Sequence, residues 1–136
     1  MIKIVVDTNI VVSALLSAEG NPAKIMSLIT SDENVLLFYS TGILDEYRRV
    51  LSYSRLNIAE EKQGRVILLI EKIGTLIEPP TSSIHLPDES DRIFYDTAEA
   101  IGAILITGNT KHYPAEDFIM TPSLFLEIMN SSEFAL

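Results

Sequence analysis

Short apolar runs alternating with stretches of helical spacing narrow the folds open to this chain more than any other feature. Ile2 to Val6, Val35 to Tyr39, Thr75 to Ile77, Ala103 to Ile106 and Phe118 to Met120 are each only a few residues long and largely apolar. Runs of that kind bounded by turn or cap residues read as strands. Between them apolar residues recur at helical spacing: Ile10 to Leu16, a segment through Ile29 with Asn21 as cap and Pro22 at its first position, Ser40 or Thr41 to Leu51, Ala59 to Gly74, Asp88 or Ser90 to Ile101, and Pro122 to Met129. Strands separated by helices imply parallel pairing through crossover helices. The expected fold is therefore α/β, a three-layer sandwich around a mainly parallel, about five-stranded central sheet.

No repeat, low-complexity stretch or linker interrupts this pattern. A chain of 136 residues with 47% hydrophobic content suits one compact domain, expected over residues 1–136. None of the apolar runs reaches the roughly 20 residues of a membrane span. The opening Met1-Ile2-Lys3 reaches Asp7 too soon for a signal-peptide core. Without cysteine there is neither a disulfide framework nor a thiolate metal site, so a cytoplasmic protein is expected.

Asp7 is the residue that most needs explaining, because an unpaired charge at the end of a buried strand is costly. It could cap the following helix. It could instead be a metal-binding or acid/base carboxylate at the carboxyl end of a parallel strand, where open α/β sheets place their sites. Other acids decide how strong the second reading is. On the helix from Thr41, the apolar stripe Ile43, Leu44, Tyr47, Val50 and Leu51 leaves Glu46 at its edge and turns Asp45 outward, at about 100° per residue. Glu46 could equally pair with Arg48 or Arg49 at the surface. On the next acidic helix, Ile93, Phe94, Thr97, Ala98 and Ile101 face the core, with Asp91 at one edge and Asp96 at the other. A first-turn position near the helix dipole would explain one acid there, but not the crowding of Asp88, Glu89, Asp91 and Asp96.

Past the fourth strand, Thr107-Gly108-Asn109 offers a tight turn and an amide oxygen at the same sheet edge. Asp7, Glu46, Asp91 and Asn109 thus all fall at or just beyond carboxyl ends of strands. Gathered as bare anions, three carboxylates would repel, so their pKa values rise or a cation neutralises them. Oxygen-only donors suit Mg²⁺ or Mn²⁺, and no cysteine or well-placed histidine pair suggests zinc.

A net charge of −9 argues at first against a nucleic-acid partner. The distribution qualifies this, since Arg48, Arg49, Arg55, Lys62, Arg65 and Lys72 gather in the middle of the chain. A bound cation would also invert the local field.

The segments Val5-Val6-Asp7-Thr8-Asn9, Leu44-Asp45-Glu46-Tyr47 followed by Val50-Leu51, Asp91-Arg92 followed by Phe94-Tyr95-Asp96, and Leu105-Ile106-Thr107-Gly108-Asn109 followed by Lys111-His112-Tyr113-Pro114 are together similar to the PIN-domain family. The branch they most resemble comprises toxin components of toxin–antitoxin pairs, and the resemblance runs on to Thr121-Pro122-Ser123 and Phe125-Leu126. It implies a ribonuclease dependent on Mg²⁺ or Mn²⁺, with Asp7, Glu46 and Asp91 as the family's first three acids and Asn9 and Thr107 as flanking polar residues. The family's fourth acid is replaced here by Asn109, a candidate metal contact. Asp96 or Asp88 could supply the missing charge. Arg48, Arg49, Lys111 and His112 are candidate phosphate contacts. The resemblance also implies single-stranded RNA as substrate, a cognate antitoxin partner and a homodimer.

Three other classes fit the strand-end Asp less well. A receiver-like phosphoacceptor module needs an acidic pair near the first strand, and an Asp-x-Asp phosphatase needs an acid where Asn9 stands. A PIN-like interaction domain with a weakened site is the third, and Asn109 is its support.

Overall fold

The computed structural model describes residues 1–131. The strands are β1 (Ile2–Val6), β2 (Val35–Tyr39), β3 (Thr75–Leu76), β4 (Ile104–Ile106) and β5 (Ile119–Met120). The helices are α1 (Thr8–Leu16), α2 (Asn21–Ser31), α3 (Thr41–Leu51), α4 (Glu60–Ile73), α5 (Arg92–Ile101) and α6 (Pro122–Met129). Single 3₁₀ turns at Ser54–Leu56, Glu89–Asp91 and Thr110–His112 complete the regular structure of the described residues. The strands pair in the order β3-β2-β1-β4-β5, with every neighbouring pair parallel. The α/β sandwich read from the alternation is therefore present, and the sheet is wholly parallel. The expected domain span of 1–136 runs past the described residues beyond position 131.

Burial explains why β1 lies at the centre. Successive strand residues point to opposite faces, yet Ile4, Val5 and Val6 are all fully buried, so both faces of β1 are covered. The helices doing this are amphipathic as their spacing requires. On α3 the buried residues are Ile43, Leu44, Tyr47 and Leu51. The Tyr47 ring packs 6.3 Å from that of Phe94 on α5, and its hydroxyl donates to the Val6 carbonyl at the end of β1. One side chain thereby ties α3 to both the sheet edge and α5. Gly74 closes α4 onto the sheet, since a Cβ there would stand 2.7 Å from the Ile70 carbonyl and 2.9 Å from the Tyr39 ring.

Two local expectations change. Gly20, not Asn21, caps α2: its carbonyl accepts the Lys24 N–H, so Asn21 is already inside the first turn. The acidic stretch does not enter α5 directly. Asp88 caps the 3₁₀ turn Glu89–Asp91, accepting from the Ser90 N–H at 2.9 Å and the Ser90 hydroxyl at 2.8 Å, and α5 begins one residue after Asp91.

Candidate metal centre

β1 and β4 are adjacent although the connections leaving them run in opposite directions along the sheet, to β2 and to β5, which makes their carboxyl ends the switch point of the topology. Open parallel sheets leave a crevice there. Asp7 follows β1, Thr107 follows β4, and the Asp7 N–H donates to the Ile106 carbonyl at 2.9 Å.

Asp7 is 8% exposed and Thr107 is fully buried. The Thr107 hydroxyl donates to Asp7 Oδ2 at 2.8 Å, and the Tyr113 hydroxyl donates to the same oxygen at 3.0 Å. The Asp7 side chain makes no capping bond to α1. The helix-cap reading therefore fails: this carboxylate is held by two hydroxyls from the far side of the sheet edge. Burial first, then the charges of Asp7 and Asp91, push the Tyr113 phenol far above its ordinary value, so it keeps its proton and remains a donor. Thr107 is doubly used, because its oxygen also accepts the Asn109 N–H at 3.1 Å. Asn9 fastens the same turn by accepting the Gly108 N–H at 3.1 Å.

Glu46, half-buried in the middle of α3, accepts from the Thr8 hydroxyl. Arg49 Nη2 stands 3.6 Å from its other oxygen. Burial raises its pKa, with Asp7 and Asp88 adding to the rise and Thr8 and Arg49 opposing it. Asp91 is the least satisfied acid. Its Oδ2 is buried without a hydrogen-bond partner, and His112 Nδ1 lies 3.5 Å away. Burial, then the charges of Asp7 and Asp88, push its carboxyl up to about 6, with His112 lowering and Glu46 raising it further. Asp7, Glu46, Asp91 and Asp88 thus share one electrostatic field.

They share it without enclosing a common point. Among the described residues, no three Asp, Glu or His side chains already form a ligand cluster, whereas the sequence pattern suggested three carboxylates and an amide within a few ångströms. The reason is visible in the bonds: Glu46 is drawn toward Thr8, Asp7 Oδ2 toward Thr107 and Tyr113, and the Asn109 amide toward His112, Nδ2 to Nε2 at 2.8 Å. The donor chemistry fits a hard divalent cation, because an orphaned carboxylate oxygen in a field of like charge gains most from one.

The remaining sequence candidates divide. Asp88 is exposed but close enough to raise both Asp91 and Glu46. Asp96 does not join this edge. It is 5% exposed, its Oδ2 accepts the Ser82 N–H at 3.1 Å, and it lines a concavity of about 280 Å³ with Ser40, Glu78 and Arg92. Its position on the opposite rim of α5's buried face turns it to the loop before that helix, where its Oδ1 is buried without a hydrogen-bond partner. Arg48 is likewise not beside Glu46: its guanidinium faces Asp45 at 3.5 Å and Glu71 on α4 at 3.6 Å. The arginine next to the site is Arg49. Lys111 and His112 are exposed on the turn after β4.

Three contributing side chains carry no role in the sequence reading: Thr8, Tyr113 and Tyr47. Thr8 follows Asp7 directly, which was a usable signal. Tyr113 meets Asp7 across 106 positions, and nothing local in the chain announces that bond.

A wholly parallel sheet with acids near its switch point places a candidate ligand site at that edge. The sequence model of the PIN domain matches residues 3–111, and the chain belongs to the PIN-domain family. It is similar to an uncharacterized protein of Methanocaldococcus jannaschii, MJ1680, at 28% identity over 139 residues, spanning 98% of this chain and 89% of that protein. Two solved structures share the fold. PAE2754 from Pyrobaculum aerophilum has a TM-score of 0.61 at 16% identity, covering 94% of this chain and 89% of that one. VapBC2 from Rickettsia felis, solved bound to a DNA fragment from their promoter, has a TM-score of 0.57 at 18% identity, covering 88% and 97%.

Proposed function

We propose that this PIN-domain protein is a ribonuclease dependent on Mg²⁺ or Mn²⁺ that hydrolyses phosphodiesters of single-stranded RNA, and that it is the toxin of a toxin–antitoxin pair acting in the cytoplasm as a homodimer. The observation that carries the reading is Asp91 Oδ2, buried without a hydrogen-bond partner, with the charges of Asp7, Asp88 and Glu46 raising its carboxyl and His112, 3.5 Å away, opposing them. Asp7, Glu46 and Asp91 would hold the ion, with Asn109 at its margin. When bound, such an ion activates water and offsets charge on the phosphate and leaving oxygen.

The chain's own residues have separable tasks in this scheme. Thr107 and Tyr113 fix the Asp7 carboxylate before any ligand arrives, which spares reorganisation on binding. Asn9 fixes the turn carrying Asn109 by way of Gly108. Lys111 and His112, exposed on that turn, are placed to meet a phosphate. The antitoxin reading draws on the family branch that the motifs resemble and on the fold shared with VapBC2. An apolar groove of about 380 Å³ between α1, α2 and α4, lined by Val11, Leu15, Met26 and Val66 and flanked by Lys62 and Arg65, suits an apolar, acidic segment of such a partner.

The test is cleavage of a labelled single-stranded RNA with Mn²⁺ present. Asp7→Ala is expected to lose at least about 100-fold in rate; cleavage as fast as wild type would refute the assignment. A second reading, a PIN-like interaction domain with a weakened site, is favoured by the Asn109 amide bonded to His112 and by the missing three-acid cluster. Calorimetry separates the two, because a weakened site gives no specific heat of Mn²⁺ binding.

A further inference from the structure

The end of α3 carries a feature that the metal centre does not explain. Arg49 bridges two groups: its Nη2 lies 3.6 Å from Glu46 Oε1, and its Nη1 donates to the Tyr53 hydroxyl at 3.0 Å. The Tyr53 ring in turn lies under the Arg55 guanidinium, 5.1 Å from ring centroid to Cζ. Glu46, Arg49, Tyr53 and Arg55 therefore form a continuous line from a site carboxylate outward, ending in two exposed guanidinium groups and an aromatic ring.

The backbone beneath this line is fixed. After α3 the Ser52 N–H bonds back to the Arg48 carbonyl at 3.2 Å and the Tyr53 N–H to the Val50 carbonyl at 3.0 Å. The 3₁₀ turn Ser54–Leu56 follows, closed by Asn57 in the left-handed region at φ 52°, where Asn is among the few non-glycine residues tolerated. Arg55 is thus carried on a closed turn rather than a loose loop. In this acidic protein other middle-segment arginines are neutralised by carboxylates, Arg48 by Asp45 and Glu71 and Arg65 by Glu61. Among the described residues Arg55 makes no ion pair, and its guanidinium stacks on the Tyr53 ring. A helix-capping role would account for Arg49, whose charge suits the last turn. It does not account for an arginine without a carboxylate stacked on a tyrosine beyond the helix.

We infer that Arg49, Tyr53 and Arg55 form a binding track for single-stranded RNA flanking the scissile phosphodiester, with the guanidinium groups meeting backbone phosphates and the Tyr53–Arg55 stack supporting one base. Single-stranded nucleic acids are held by this pairing of cationic groups with stacking surfaces, with little sequence preference. The track rests on the ribonuclease reading of the acids. It sets one cationic flank beside Glu46 through Arg49, and the turn carrying exposed Lys111 and His112, with His112 3.5 Å from Asp91, offers another.

The experiment uses the full chain with Mn²⁺ and two probes: a fluorescent 12-nucleotide RNA of mixed sequence for cleavage, and its 2′-O-methyl form for equilibrium binding at several salt concentrations. Arg55→Gln and Tyr53→Ala are each expected to weaken binding and raise KM about tenfold, the loss falling on KM rather than kcat. Arg55→Gln is expected to lower the salt slope by about one, and Tyr53→Phe to keep the stacking. Lys72→Gln, exposed in the last turn of α4, is the control with unchanged binding. Wild-type Kd, KM and salt slope in both Arg55→Gln and Tyr53→Ala would overturn the track while leaving the nuclease standing. An RNA that the wild-type protein neither binds nor cleaves would overturn both. A 12-residue polyglutamate bound as tightly as the oligonucleotide, and weakened equally by Arg55→Gln, would also overturn it, since the surface would then select acidic protein.

Discussion

Asp7 and Asp91 lie on the same sheet edge, are both shielded from solvent, and differ in almost everything else. Asp7 is gripped at one oxygen by two hydroxyls, Thr107 from the end of β4 and Tyr113 from beyond it. Asp91 reaches the edge from a single 3₁₀ turn, has a buried oxygen with no partner, and is pushed up to about 6. The edge is thus half preorganised: one carboxylate is positioned by the fold itself, whereas the other is positioned by the backbone and left electrostatically unsatisfied. The contrast assigns different work to the two acids. Changes at Asp7 are expected to disturb architecture and metal binding together, while changes at Asp91 are expected to separate them.

The largest expected effect breaks the comparison at Asp91. Asp91→Asn keeps the side chain's shape and removes its charge, so it is expected to lower Mn²⁺ affinity and Mn²⁺-dependent RNA cleavage by about 100-fold, while the metal-free protein becomes no less stable. Calorimetry and thermal melts on the same sample check both halves. A variant that melts well below wild type without metal would mean that Asp91 is structural after all.

At Asp7 the expected sign is opposite. Thr107→Val, nearly isosteric at a fully buried position, removes a donor to Asp7 and the acceptor of the Asn109 N–H. It is expected to destabilise the metal-free protein by about 1–3 kcal/mol, the cost of leaving buried polar groups unpaired. Tyr113→Phe removes one donor only and should cost less, about 1 kcal/mol. Denaturant unfolding midpoints measure both.

The same contrast shows what could be read from the chain. Glu46 stands at the edge of the α3 stripe, which buries Ile43, Leu44, Tyr47 and Leu51, because helical spacing fixes that position once the apolar residues are known; Asp91 lies one residue ahead of α5, in a 3₁₀ turn that helical spacing does not indicate. The strands were legible from their length and flanking turns. What spacing does not carry is the direction of a side chain at a helix edge. Asp96 occupies a rim of α5's buried face by the same rule that places Glu46 on α3, and only the loop packed there, with Ser82 donating to it, decides that it faces away. Arg48 and Arg49 are neighbours in sequence, so about 100° of helix rotation decides which one meets Glu46. The Tyr113 bond was illegible for a different reason: a contact across 106 positions belongs to topology, which adjacent residues do not encode.

A smaller effect sharpens the comparison through pH. The folded Asp91 carboxyl sits at about 6, above its ordinary 3.8, so it favours the folded state when protonated. Its stabilising contribution is complete below about 3.8 and is lost as pH rises through about 6. Asp91→Asn does not titrate. The stability difference between the variant and wild type, measured without metal, should therefore be near zero at pH 4 and, with solvent screening of this partly buried group reducing it, grow to about 1 kcal/mol in the variant's favour by pH 7.5. Exposed acids whose pKa values are lowered, Glu78, Asp88 and Glu89, act oppositely but are present in both proteins and cancel. A difference that stays flat across this range would remove the electrostatic distinction between the two acids.

The smallest expected effect tests whether Asn109 limits the unsatisfied half of the edge. Asn109→Asp replaces an amide donor to His112 Nε2 with an acceptor, which reverses the proton's place on the imidazole and brings a further negative charge to the edge. Without metal that charge adds to the repulsion already raising Asp91, so a loss of a few tenths of a kcal/mol is expected. With Mn²⁺ the sign turns over, because another anionic oxygen strengthens a hard-cation site, and affinity should rise about three- to tenfold in calorimetry. The two signs must appear together. A variant that loses stability without gaining Mn²⁺ affinity would show that Asn109 serves to hold His112 beside Asp91, making it part of the edge's architecture rather than a weakened ligand.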